Sequence, residues 1–179
     1  MNKLRIVLAV LLLLVTLQGS WYFLGMRHSG IKNWLMFNAC AVANIVFLTG
    51  LAVFFISGSR AIIYLAVLPL FFFGTGGLFV FPWSGMNIIA QVSHLLMTAN
   101  LAMMLFDLFR LKDFRAAAIG LLLGTFIFSW FLAVQQNYVS SHPREMKELL
   151  GLDRILWKSP PQEANRCSSS RAPTTRAYR

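Results

Sequence analysis

Acidic side chains are scarce in this chain. Its 179 residues include six Asp and Glu against sixteen Lys and Arg, and the first acid is Asp107. A soluble domain is expected to be roughly half apolar and about a quarter charged. Here the hydrophobic share is 58%, the charged share 12% and the mean hydropathy +0.65. Cysteine is nearly absent too. Cys40 lies in an apolar run and Cys167 in a polar tail, with no CxxC, so neither redox catalysis nor a structural disulfide is indicated. The three histidines, His28, His94 and His142, are far apart and lack metal-ligand spacing. HExxH, GxSxG and Walker-type loops are missing. An intramembrane protease would want a Ser–His, two-aspartate or zinc constellation, and a bis-histidine haem site lacks its second ligand within one chain. We therefore expect no catalytic residue, no metal site and no cofactor, and the balance leans away from an enzyme.

Long uncharged runs are what the chain does have. The only charges before Asp107 are Lys3, Arg5, Arg27, Lys32 and Arg60. They punctuate stretches of about 20 residues, the length needed to cross roughly 30 Å of hydrocarbon. Five runs qualify, at about 6–24, 34–56, 61–82, 87–109 and 116–138. The expected fold is an all-α integral membrane protein of five antiparallel transmembrane helices, 1–139, with short connections. Lys3 and Arg5 before Ile6–Val15 resemble the start of a signal peptide. Leu17-Gln18-Gly19-Ser20 is a poor cleavage site, however, and the apolar run continues to Leu24, so an uncleaved first helix is expected. No cysteine near Gly19 suggests a lipoprotein signal.

Lys and Arg in short loops set orientation. With the N-terminus inside, Lys3, Arg5, Arg60, Arg110, Lys112 and Arg115 share the inner side, while Arg27 and Lys32 lie outside. The basic tail pulls the other way, so the preference for N-inside and C-outside is slight. Residues 140–158 read as an amphipathic interfacial helix, opened by Pro143 with Glu145 in its first turn and bent at Gly151. Residues 159–179, with Pro-Pro, three serines and scattered arginines, cannot bury a core and read as a disordered basic tail. That tail carries much of the +10 net charge, so the charge is not a nucleic-acid footprint. The expected partners are the lipid bilayer and a membrane protein or second copy of this chain.

Within the fourth run, Asn87, Gln91, His94 and Thr98 recur at i, i+4, i+7 and i+11. At 100° per residue they fall within about 60° of one another and form one polar stripe. Polar groups in a span need partners or water. His94 invites a proton-carrying, haem or quinone role; interhelical bonding by the whole stripe is the structural alternative. Asn44 in the second run is a candidate partner. Asn100 and Asp107 lie on the opposite side of the fourth helix, with Asp107 placed to pair with Arg110 at i,i+3.

Gln135, Gln136, Asn137 and Tyr138 end the fifth run. If the fourth and fifth helices form a hairpin across Arg110–Arg115, these residues and Asn87 would build a polar vestibule leading past Gln91 to His94. Ala116, Gly120 and Gly124 give a small-residue packing stripe, and Ala39 and Ala43 a similar contact on the second helix. Pro69 and Gly74-Thr75-Gly76-Gly77 predict a kink or local unwinding in the third. No internal repeat supports an inverted-repeat transporter. The functional expectation is an accessory or scaffold subunit of a membrane complex. Its alternatives are solute or proton transport along the stripe, and a haem- or quinone-binding electron-transfer subunit.

Overall fold

Each apolar run ends where the sequence supplies a break, and the breaks define the elements. In the computed structural model, which describes residues 3–80, 83 and 87–150, the first helix, α1, covers Lys3–Trp21 and widens into a π-helical turn over Tyr22–Met26. His28 then turns left-handed at φ 49°, and the Ser29 hydroxyl donates to the Phe23 carbonyl at 2.7 Å, closing the end of the helix. The second run is not one helix. A short α2, Ile31–Phe37, stops at Asn38, and α3 runs from Ala39 to Ser57. Asn38 caps α3 by accepting the Ala41 N–H on its side-chain oxygen at 3.3 Å. The start expected at Trp34 thus moves to Ala39, because an Asn side chain can bond a helix's free N–H groups and offers the chain a new beginning. Gly58, left-handed at φ 70°, ends α3 by donating to the Phe54 carbonyl at 2.8 Å.

The third run opens as α4, Arg60–Pro69. Pro69 has no N–H for the Leu65 carbonyl four residues back. The chain loosens into a π-helical stretch, Leu70–Thr75, and tightens again as α5, Gly76–Val80. Then follow α6, Asn87–Leu111, and α7, Phe114–Ser141, joined through Lys112, which is left-handed at φ 53°. The last described helix is α8, Pro143–Leu150, with Pro143 in its first turn. The continuation to residue 158, the 159–179 tail and the Asn87 side chain lie outside the described residues.

Among the described residues the chain is all-helical, and five segments are long and apolar enough to cross a membrane: Lys3–Met26, Ala39–Ser57, Arg60–Phe79, Ile88–Leu111 and Phe114–Ser141. Four of them close into a square. The first packs on the second, the second on the third, the third on the fourth, and the fourth returns to the first. Leu12, Phe47, Val67, Leu70, Met97 and Leu101 meet at its centre.

The fifth helix stands outside that square, against α4. A Cβ on Gly120 would lie 2.3 Å from the Ala61 carbonyl oxygen, and one on Gly124 3.0 Å from that of Leu65. Residue number rises along both helices together, so α7 lies parallel to α4. This corrects the expected hairpin of the fourth and fifth helices, since α7 does not pack along α6. Two features account for it. The Gly120–Gly124 stripe needs a backbone to approach, and α4 offers Ala61 and a Leu65 carbonyl whose usual helical donor Pro69 cannot supply. The turn itself is held to α4 by Arg60, whose Nη1 donates to Asp113 Oδ2 at 3.1 Å.

Candidate functional site

The polar stripe of α6 turns inward. Gln91 is fully buried and His94 is 2% exposed. Gln91 Nε2 reaches the Leu78 carbonyl of α5 at 3.4 Å, and Gln91 Oε1 lies 3.4 Å from His94 Nδ1. His94 Nε2 lies 3.1 Å from Cys40 Sγ, in the first turn of α3. Thr98 donates its hydroxyl to the His94 carbonyl at 2.9 Å, within its own helix. The stripe therefore joins α6 to α5 and α3, while Thr98 braces the backbone beneath.

One tautomer satisfies this chain of contacts throughout. The Leu78 carbonyl can only accept, so Gln91 turns its NH₂ to Leu78 and its oxygen to His94. In that tautomer Nδ1 carries the imidazole hydrogen, Nε2 accepts and Cys40 donates its S–H. The ring also presses on Gly77, where a Cβ would meet His94 Cδ2 and Nε2 at 2.5 Å. Gly77 thus gives the imidazole its seat, and the glycine-rich end of the third span serves close packing. Gly74 plays a similar part against Met97.

The opposite side of α6 is polar too, and it faces α1. Asn100 Nδ2 donates to its own Leu96 carbonyl at 2.9 Å and to the Leu8 carbonyl at 3.5 Å. Asp107 pairs with Arg5. The sequence offered Arg110 at i+3 as the partner, but Asp107 points into the α1 contact while Arg110 is exposed. Asn44 is buried, and its Oδ1 meets no donor among the described residues. The partner from α3 is Cys40, one turn earlier. A single thiol four residues before an inward-facing Asn was the available signal for it.

The Gln135–Tyr138 cluster lies elsewhere. Gln135 Nε2 donates to the Met36 carbonyl at 3.0 Å, and the Tyr138 hydroxyl donates to Asn33 Oδ1 at 2.7 Å. The Tyr138 ring stacks on His142 at 4.1 Å and carries Lys32 Nζ 4.7 Å from its centroid. Gln136 and Asn137 are exposed. These residues bind α7 to α2, so the vestibule expected between α6 and α7 does not form from them. Asn33 Nδ2 also reaches Glu145 Oε2 at 3.4 Å, which draws α8 to the same end. Ala116 is half-buried at the start of α7, and Gly120 and Gly124 pack inside the chain.

Among the described residues no three of His, Cys, Asp and Glu gather in a metal-like group. A groove of about 220 Å³ opens between α3, α4 and α7, lined by Val46, Leu65, Pro69, Ile127, Phe128 and Phe131 among others. Its lining carries no polar side chain. Compared with protein families, curated proteins and solved structures, the chain matches none of them. The site can hold helices together.

Proposed function

We propose that this chain is a multi-pass integral membrane protein serving as an accessory or scaffold subunit of a membrane complex. Membrane insertion is supported by a surface that water would not tolerate. Leu122, Phe126 and Trp130, one turn apart along α7, are 73%, 83% and 77% exposed. The observation that carries the scaffold reading is the engagement of the buried stripe. Gln91 and His94 bond across to α5 and α3, where a conducting path would need polar groups facing a wet lumen. The haem alternative is disfavoured because His94 Nε2 is turned to Cys40 Sγ. Gly120 is buried against α4, and the contact surface is the apolar groove between α3, α4 and α7, which Gly124 helps to line. That groove is open to an apolar helix of a partner membrane protein.

The N-terminus is assigned to the inner side, with Arg60, Arg110, Lys112 and Arg115 beside it. Extraction in a mild detergent followed by native mass spectrometry tests the scaffold reading. The 20.2 kDa chain should fly in a stoichiometric complex. Val46→Trp or Ile127→Trp, which fill the groove, should release it as a folded monomer. A wild-type chain that is wholly monomeric on extraction, or groove variants that stay bound, would sink the proposal.

A further inference from the structure

Cys40, His94 and Gln91 form an order of groups with chemical meaning beyond helix packing. A thiol sulfur lies 3.1 Å from one imidazole nitrogen, and the other ring nitrogen faces an amide oxygen at 3.4 Å. Nucleophile, base and orienting group stand in the same sequence in thiol acyl-transfer sites. The Leu78 carbonyl holds the amide, and Gly77 holds the ring against sliding away. Depth matters as much as order. The 19 residues of α3 span about 28 Å at 1.5 Å each, close to the hydrocarbon thickness. Cys40, its second residue, therefore lies within about one turn of the membrane surface. The residue as a whole is partly exposed, while its Sγ packs against the buried His94, so the thiol is reached by an opening of the α3–α6 contact. A thiol at that depth meets amphiphiles whose acyl chains enter the bilayer while their thioester group stays at the interface.

We propose that Cys40 is an S-acylation site, with His94 as its built-in base and Gln91 as the positioning residue. The donor is a long-chain acyl thioester. The thiol proton passes to His94 Nε2 as Sγ adds to the acyl carbonyl carbon. The tetrahedral adduct collapses, the donor's carbon–sulfur bond breaks, and the departing thiolate takes the proton back from the imidazolium. One thioester is exchanged for another, so no oxidant or reductant is needed. The product has no S–H, and acylation removes the donor from the α3–α6 contact. The inference goes beyond the scaffold reading and does not depend on a partner.

The test uses the full chain with Cys167→Ser, reconstituted in phosphatidylcholine vesicles, so that Cys40 is the only thiol. Alkyne-tagged hexadecanoyl-coenzyme A should label it, hydroxylamine should release the label, and Cys40→Ser should abolish it. His94→Gln keeps an acceptor for the thiol but is no base, and labelling should fall at least tenfold. Gly77→Ala retains both reacting residues and displaces the ring, so a several-fold fall is expected. In His94→Ala, added imidazole should restore part of the rate, a response that helix packing alone does not produce. No hydroxylamine-labile label on Cys40 in the wild-type background overturns the site. Labelling of His94→Gln within twofold of wild type overturns the role of His94. If His94→Gln fails to fold, an unchanged rate in Gly77→Ala overturns that role in its place.

Discussion

Arg5 and Asp107 form an unequal pair, and the inequality is measurable. The Asp107 side chain is 5% exposed and that of Arg5 31%. Asp107 Oδ2 and Arg5 Nε are buried without a partner among the described residues. Removing arginine strands a carboxylate in an apolar contact. Removing the carboxylate frees an arginine whose long stem can carry its charge toward water. Arg5→Met is therefore expected to destabilise by about 3 kcal/mol, the scale for stranding one member of a buried pair. Asp107→Asn should cost at least about 1 kcal/mol less, because Arg5, already 31% exposed, can turn its charge further toward water. Thermal unfolding of the detergent-solubilised single and double variants reads both, and equal losses would refute the argument. The pairing itself was hidden in the sequence. Asp107 has a basic residue three positions on, but its true partner is 102 positions away, and local spacing carries no information about contacts of that range. The stripe of Gln91, His94 and Thr98 was legible because a helix repeats its faces by rule. Cys40 was legible only as a neighbour of Asn44 one turn away, since a thiol reads as apolar in a hydropathy pattern.

Between elements, the decisive variable is how near one backbone comes to another. Gly120 faces the Ala61 carbonyl, which cannot yield, with a Cβ placed at 2.3 Å, whereas Gly124 would meet the Leu65 carbonyl at 3.0 Å. Gly76 has nothing within 4 Å. Three substitutions to alanine should thus rank by clearance. Gly120→Ala is expected to cost about 1–3 kcal/mol as overpacking, and Gly124→Ala less. Gly76→Ala should be neutral or stabilising by up to about 1 kcal/mol, because alanine favours helix. Melting temperatures in one detergent would give the order, and a Gly120→Ala variant as stable as Gly76→Ala would contradict the packing described. The small-residue stripe announced a close contact from sequence alone, but not with which helix. Short loops suggested α6; the Leu65 carbonyl, whose usual helical donor Pro69 cannot supply, and the Arg60–Asp113 pair bring α7 to α4 instead. The break at Asn38 was also concealed, because hydropathy continues smoothly from Trp34 through Ala43 while the side-chain cap that interrupts the helix is a property of one polar atom.

For the whole molecule, the two ends of the bundle are chemically distinct, and that gives the proposed topology its sharpest test. Arg5 with Asp107 and Arg60 with Asp113 gather at one end. Asn33, Tyr138 and Glu145 gather at the other. The five proposed spans would put residue 3 and residue 141 on opposite sides whatever the orientation. The choice between the two orientations falls to the basic residues of the short connections, whose retention on the inner side is a bias on insertion, not a consequence of folded contacts. Arg110, Lys112 and Arg115 flank one turn and are exposed, so they can act on insertion without being needed for packing. In a chain lacking both native cysteines, a cysteine replacing Lys112 should be reached by a membrane-impermeant maleimide only after the membrane is opened, and one replacing Ser141 should react on intact cells. Reaction of both from the same side would overturn the five-span arrangement, whereas the reverse order would overturn only the assigned orientation. Changing Arg110, Lys112 and Arg115 together to Gln should raise the fraction inserted in reverse, and because Arg60–Asp113 is untouched, the reversed molecules should still show the Gly120 packing dependence.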